Sequence, residues 1–166
     1  MANIFSPQEI LRIAIKVEEN GQKLYENLEK KTKKEKLQNT FRYLKEQEEI
    51  HKNTFAKMLK DLGDYVVYEF NEGEYQAYIN AIAKEYIFTQ ELIEKKINED
   101  FRTDLEAVEF GIYIEKESIL TYSALKNYIL AEQVDVLNKV IEEEQKHLVT
   151  LVLLKDLLKK EKQNQN

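Results

Sequence analysis

The chain has 166 residues, and we expect residues 1–166 to form a single domain around one core. Its net charge of -6 argues against nucleic acid and membrane surfaces as main partners, and the absence of cysteine excludes disulfides, thiolate metal sites and thiol nucleophiles. No apolar run is long enough to cross a membrane and no apolar signal region opens the chain, so we expect a soluble protein of the cytoplasm.

The chain is poor in turn residues, with four glycines and one proline, and this favours long helices with few connections. The first predicted helix begins at Ser6, a suitable N-cap, followed by Pro7 at the first helical position. The second begins at the capping-box sequence Thr32–Glu35 and ends near Gly63, since glycine is common just after a helix.

The third predicted helix begins at another capping box, Thr103–Glu106, and a weaker break at residues 132–135 precedes the fourth. The four helices are predicted to span about 7–31, 33–62, 104–130 and 134–160. The segment of about 63–103 is too long for a hairpin loop and has helical periodicity of its own. Because two helical hairpins joined by one long crossover are typical of ferritin-like bundles, the sequence predicts an all-α, ferritin-like four-helix bundle with that crossover between helices two and three.

Charged residues interrupt the apolar stripe that each predicted helix turns toward the core. In helix two, Glu48 and His51 replace the two middle residues of a stripe that otherwise consists of Leu37, Phe41, Leu44, Phe55, Met58 and Leu62. Glu144 and His147 interrupt the stripe of helix four in the same way. Glu18 interrupts the stripe of helix one, and Glu115 interrupts that of helix three. Polar residues at these positions need a reason, because burial without a partner is costly.

The interruptions form an internal repeat. Glu115 follows Glu18 by 97 residues, and Glu144 follows Glu48 by 96. A tyrosine follows seven residues after each of the first pair, at Tyr25 and at Tyr122. Two interpretations of these tyrosines stay open: core aromatics with a satisfied hydroxyl, or hydrogen-bond donors to a metal-binding glutamate across the bundle. The repeat predicts two similar half-sites that face each other.

Metal ions would explain the buried charges. One unpaired buried carboxylate costs on the order of several kcal/mol, and four at one level also repel one another. A glutamate and a histidine three residues apart lie on one helix face and can reach the same ion. We therefore predict two metal ions; the mixed carboxylate and imidazole ligands suit iron or manganese, and zinc less specifically. The predicted ligands are Glu18, Glu48, His51, Glu115, Glu144 and His147; the acids that fall off the stripe are expected at the surface, namely Glu19, Glu49, Glu117, Glu142 and Glu143.

Over nearly its whole length the chain resembles the rubrerythrin-like branch of the ferritin-like di-iron superfamily. The motifs are the stretches 14–25 and 114–122 and the two Glu-x-x-His pairs at 48–51 and 144–147. The resemblance implies that Glu48 and Glu144 bridge the metals, that Glu18 and Glu115 are terminal carboxylates, and that His51 and His147 each serve one metal.

The chain departs from rubrerythrins proper in two ways. It lacks the four cysteines of a rubredoxin-like domain, so any electron donor must be a separate protein. Ser118 stands where rubrerythrins carry an additional glutamate, which leaves a plainer site of six ligands.

Several functions agree with this sequence. The first is an oxidoreductase that reduces hydrogen peroxide or dioxygen with electrons from a partner, and that needs no catalytic residue separate from the metal ligands. The alternatives are a ferroxidase or iron-handling protein, a non-enzymatic metal-binding module, and a manganese catalase. We also expect a homodimer.

Overall fold

The structure is a computed structural model that describes residues 7–63, 101–126 and 131–164. These residues form four long helices and no strand, which confirms the predicted all-α class. The helices are α1 (Pro7–Lys31), α2 (Glu35–Asp61), α3 (Asp104–Leu125) and α4 (Val134–Gln163), and a short 3₁₀ turn, Ala131–Gln133, precedes α4. Both the Ser6 cap and residues 64–100 of the predicted crossover lie outside the described residues.

Contacts at the helix ends define the topology. Helix α1 packs along α2, and α3 packs along α4. At one end of the bundle the Thr32 hydroxyl donates to the Asp104 carboxylate at 3.2 Å, and Lys34 Nζ lies 2.9 Å from a Glu161 carboxylate oxygen. At the opposite end the Gln133 amide donates to the carbonyl of Met58 at 3.0 Å. Helices α2 and α3 therefore run in the same direction.

The start of α2 differs from the prediction. Helix α2 begins at Glu35 rather than at 33, and its N-cap is Lys34, whose backbone is extended. The Thr32 hydroxyl, predicted as the cap, accepts the N–H of Lys34 at 3.4 Å, ahead of the helix, and donates to Asp104 of α3. A contact between helices thus holds this side chain before the first turn of α2.

The other boundaries follow the sequence more closely. Thr103 caps α3 by accepting the N–H of Glu106 at 3.2 Å, and the Glu106 carboxylate accepts the N–H of Arg102 at 2.9 Å. Gly63 follows α2 with a φ of 75°, a left-handed conformation that favours glycine. Helix α3 is described as far as Leu125, and residues 127–130 of its predicted span lie outside the described residues. Helix α4 continues to Gln163, beyond its predicted end near 160. No glycine or proline marks this end, and apolar periodicity alone does not fix a C-terminus.

The core holds the helices together with apolar residues above and below a polar middle layer. Tyr25 stacks on Phe41 with ring centroids 6.2 Å apart, and Phe55 packs against Tyr122 at 5.0 Å. Both tyrosines are completely buried. Within the described ranges, no helix is long and apolar enough to cross a membrane.

Candidate metal centre

The structure brings the six predicted ligand residues together in the middle of the bundle. Each helix contributes: Glu18 comes from α1 and Glu115 from α3, while α2 and α4 each supply a Glu-x-x-His pair. None of the six side chains is more than 5% exposed. Because residues three apart share a helix face, each pair directs its carboxylate and its imidazole toward the same point. The side chains of the four helices therefore meet at one level, away from water.

The six residues form two overlapping groups. One group consists of Glu18, Glu48, His51 and Glu144, and the other of Glu48, Glu115, Glu144 and His147. Within each group one potential ligand atom per residue lies within 4.8 Å of the others. Glu48 and Glu144 belong to both groups, whereas the remaining four belong to one each. Such an arrangement fits two metal ions that share two carboxylates.

Two buried carboxylate oxygens of this cluster have no hydrogen-bond partner. They are Glu18 Oε2 and Glu115 Oε2, which lie 3.8 Å from His51 Nδ1 and 3.7 Å from His147 Nδ1. A buried polar atom left unsatisfied costs about 1–3 kcal/mol. Carboxylate oxygens and imidazole nitrogens are ligands for iron, manganese and zinc, so the residues present fit the metals that the sequence predicts.

Two tyrosines hold in place the outer glutamates, Glu18 and Glu115, each of which belongs to only one of the two groups. The Tyr25 hydroxyl of α1 donates to Glu115 Oε1, and the Tyr122 hydroxyl of α3 donates to Glu18 Oε1. In each glutamate the tyrosine takes one oxygen and leaves the other, Oε2, free for a metal. Burial and the neighbouring carboxylates raise the pKa of both tyrosines well above the usual value, which keeps their hydroxyls as donors.

Without metal the cluster retains protons. Burial raises the pKa of Glu18 and Glu48 well above the usual value, and burial with the charge of Glu144 raises the pKa of Glu115 to about 8. Burial also opposes the ionisation of Glu144, but contacts with the two histidines prevail and lower its pKa to about 2.

Burial shifts the pKa of the two histidines in the opposite direction from that of the glutamates. Burial lowers their pKa, but the adjacent carboxylates outweigh this effect and raise the pKa of His51 to about 9 and that of His147 to about 10. His147 Nδ1 lies 3.0 Å from Glu144 Oε2, and His51 Nδ1 lies 3.2 Å from Glu144 Oε1. At neutral pH protons therefore balance the buried carboxylates, and metal ions must displace them.

Gly21 of α1 leaves space for a shared carboxylate. A Cβ at this position would lie 3.0 Å from Glu48 Cδ and 3.1 Å from its Oε1. We predict that Gly21→Ala displaces the Glu48 carboxylate and weakens metal binding, while the metal-free fold keeps its stability because alanine improves helix propensity by up to about 1 kcal/mol. Metal titration and thermal unfolding of the metal-free variant measure the two effects.

A second glycine gives the control for that substitution. A Cβ at Gly111 would lie 3.1 Å from Leu151 Cδ1, a flexible apolar side chain outside the ligand set. Gly111→Ala should leave the metal affinity unchanged. Equal metal affinity in the Gly21→Ala variant and in the wild type would contradict the assigned role of Gly21.

Sequence reasoning missed two residues beside the cluster. The side chain of Glu143 is 43% exposed, in agreement with its expected place at the surface, but its Oε2 lies 2.8 Å from His51 Nε2. Tyr43 places its ring edge-on to His147, with centroids 5.9 Å apart. The stripe pattern identifies positions that face the core, and Glu143 lies on the flank of the stripe. Its place directly before Glu144 is the one sequence feature that could have pointed to it. Ser118, the departure from rubrerythrins, is buried in α3.

Comparison with known proteins agrees with this geometry. A bundle that buries two Glu-x-x-His pairs and two further glutamates defines a ferritin-like protein with a dinuclear carboxylate site. The family model for rubrerythrin matches residues 9–155, and the chain belongs to the rubrerythrin family. No match was found among curated protein sequences.

A solved structure shows the same fold. It comes from Thermotoga maritima and is described as a candidate ferritin-like diiron-carboxylate protein. The two chains are 26% identical, the alignment covers 94% of this chain and 98% of the other, and the TM-score is 0.67. The predicted ferritin-like fold and the predicted family are thereby confirmed.

Proposed function

We propose that the protein binds two iron ions in the buried cluster and reduces hydrogen peroxide there, or dioxygen, with electrons from a separate donor protein. The proposal depends on one observation, the overlap of two four-residue groups that share Glu48 and Glu144. Each group offers three carboxylates and one imidazole, a donor set suited to iron and manganese. Membership of the rubrerythrin family favours iron.

Each residue of the cluster has a part in this proposal. One ion would be held by Glu18 and His51, the other by Glu115 and His147, and both by Glu48 and Glu144. When bound, iron would supply the electrons for reduction of the O–O bond of peroxide. Tyr25 and Tyr122 fix the orientation of the two outer carboxylates through their hydroxyls. Burial of the whole cluster limits the access of water.

The electron balance requires a partner. Reduction of one hydrogen peroxide to two water molecules consumes two electrons and two protons. This sequence has no cysteine with which to bind a rubredoxin-type iron. We therefore assign electron delivery to another protein, while the proposed cytoplasmic location and homodimer stay predictions.

The iron-loaded, reduced protein is expected to react much faster with hydrogen peroxide than with air. The measurement is stopped-flow absorption after mixing with either oxidant, followed by turnover assays with a chemical reductant. The His147→Ala variant serves as a control that should lose the fast reaction. Equally slow oxidation by both reagents would contradict the peroxidase proposal, and uptake of Fe(II) far beyond two ions per chain would favour the ferroxidase alternative.

A further inference from the structure

The two histidines of the cluster differ on the side that faces away from it. His51 Nε2 lies 2.8 Å from Glu143 Oε2, and because a carboxylate only accepts hydrogen bonds, Nε2 donates. His147 Nε2 is buried, and no described residue provides it with a hydrogen-bond partner. The ring plane of Tyr43 is nearly perpendicular to that of His147, with centroids 5.9 Å apart, and the ring of His51 stacks on that of His147 at 5.6 Å.

The internal sequence repeat does not include Glu143, the residue that contacts His51. Glu143 directly precedes Glu144 in α4, and the corresponding position in α2, directly before Glu48, is occupied by Gln47. One half of the repeat thus has a carboxylate at this position and the other half has an amide. Since the ligand residues repeat completely, the difference is confined to residues around them.

A carboxylate behind a histidine alters how that histidine binds a metal. It fixes the proton on Nε2, leaves the Nδ1 lone pair for the metal, holds the orientation of the ring and strengthens the nitrogen as a donor. Loss of such a partner typically lowers metal affinity by about 10–100-fold. The Glu143 side chain comes from α4 and reaches His51 on α2, so it also links the two helices at the level of the cluster.

We propose that Glu143 is a positioning residue for His51 and makes the two metal positions unequal. The position formed around Glu18 and His51 binds its ion more tightly than the position formed around Glu115 and His147. This inference rests on the proposed dinuclear centre, and it adds an order of loading that the six ligands by themselves do not provide.

Anaerobic titration of the metal-free protein with Co(II), followed by visible absorption, tests the inference. The wild type should bind two ions in two distinguishable steps. Glu143→Gln should weaken the tighter step by about 10–100-fold and leave the weaker step in place. The matched control is Glu142→Gln, an equal change of charge at the adjacent exposed residue, which should alter neither step. The reciprocal variant Gln47→Glu is expected to strengthen the weaker step.

A double-mutant cycle assigns the effect to His51. In a His51→Ala background, Glu143→Gln should have no further effect on Co(II) affinity, whereas in a His147→Ala background its effect should persist. Circular dichroism of each metal-free variant reports whether it is folded. A Glu143→Gln protein with the same affinities as Glu142→Gln would overturn the inference and leave the proposed centre intact. A wild type that binds fewer than two Co(II) ions would overturn both.

Discussion

Replacing Glu48 by alanine is expected to abolish stoichiometric metal binding, because Glu48 belongs to both four-residue groups of the cluster. Without it each group keeps only two carboxylates and one imidazole, and the link between the two positions through this residue is lost. His147→Ala removes a ligand from one group and should also prevent the binding of two ions. Metal content after anaerobic reconstitution and desalting measures both effects.

The neighbouring residue Glu49 supplies the control for this substitution. It has the same charge and lies one position along α2, but it is exposed. Glu49→Ala should bind as much metal as the wild type. The metal-free Glu48→Ala protein is expected to remain folded, since the mutation also removes a buried carboxylate that burial makes costly to ionise. Retention of two metal ions by Glu48→Ala would contradict the site.

Metal removal is expected to lower the melting temperature, and to do so most strongly at alkaline pH. A ligand present at about a thousand times its dissociation constant adds about 4 kcal/mol to the free energy of unfolding. For a chain of this size about 1 kcal/mol shifts the melting temperature by about 2–4 °C, so two tightly bound ions should add roughly 10 °C or more. Calorimetry of the metal-free and the loaded protein between pH 5 and pH 9 measures the difference.

The direction of the pH effect follows from the buried groups. The pKa values of Glu115, about 8, and of His51 and His147, about 9 and about 10, are raised from 4.5 and 6.5. A group whose pKa is higher in the folded than in the unfolded protein contributes its full stabilisation at a pH below the unfolded pKa. It loses that contribution as the pH rises through the folded pKa. Glu144, with a pKa lowered to about 2, loses its contribution only in acid.

The metal-free protein should therefore become less stable from about pH 5 to pH 10, while metal affinity rises over the same range because protons no longer compete. A metal-free protein whose melting temperature increases toward pH 9 would contradict the assigned protonation of the cluster. A melting temperature that does not respond to metal would contradict the presence of a metal site.

The helices could be predicted from local patterns, and their exact limits could not. Apolar spacing and the cap at Thr103 are properties of short segments, and they suffice to locate α1, α3 and α4. The start of α2 depends on the bond between Thr32 and Asp104, residues that are far apart in sequence and meet only in the folded bundle. The pairing of α1 with α2 and of α3 with α4 follows from the short connections within each hairpin.

The cluster was predictable for a different reason. A glutamate or a histidine in the middle of an apolar stripe stands out, and its repetition in both halves of the chain strengthens the inference. Glu143 lies on the flank of α4, where a charged residue is ordinary, and its contact with His51 spans 92 positions of the sequence. Tyr43 escaped notice likewise, because an exposed tyrosine carries no pattern until the structure places it beside His147.

The most direct test of the dinuclear centre is the number of iron ions that the metal-free protein binds. Anaerobic titration with ⁵⁷Fe(II), read by Mössbauer spectroscopy before and after oxidation, counts the sites and reports whether they interact. We predict two iron ions per chain that become a magnetically coupled ferric pair on oxidation. A single ion per chain, or two ions that remain uncoupled, would contradict a centre that shares Glu48 and Glu144.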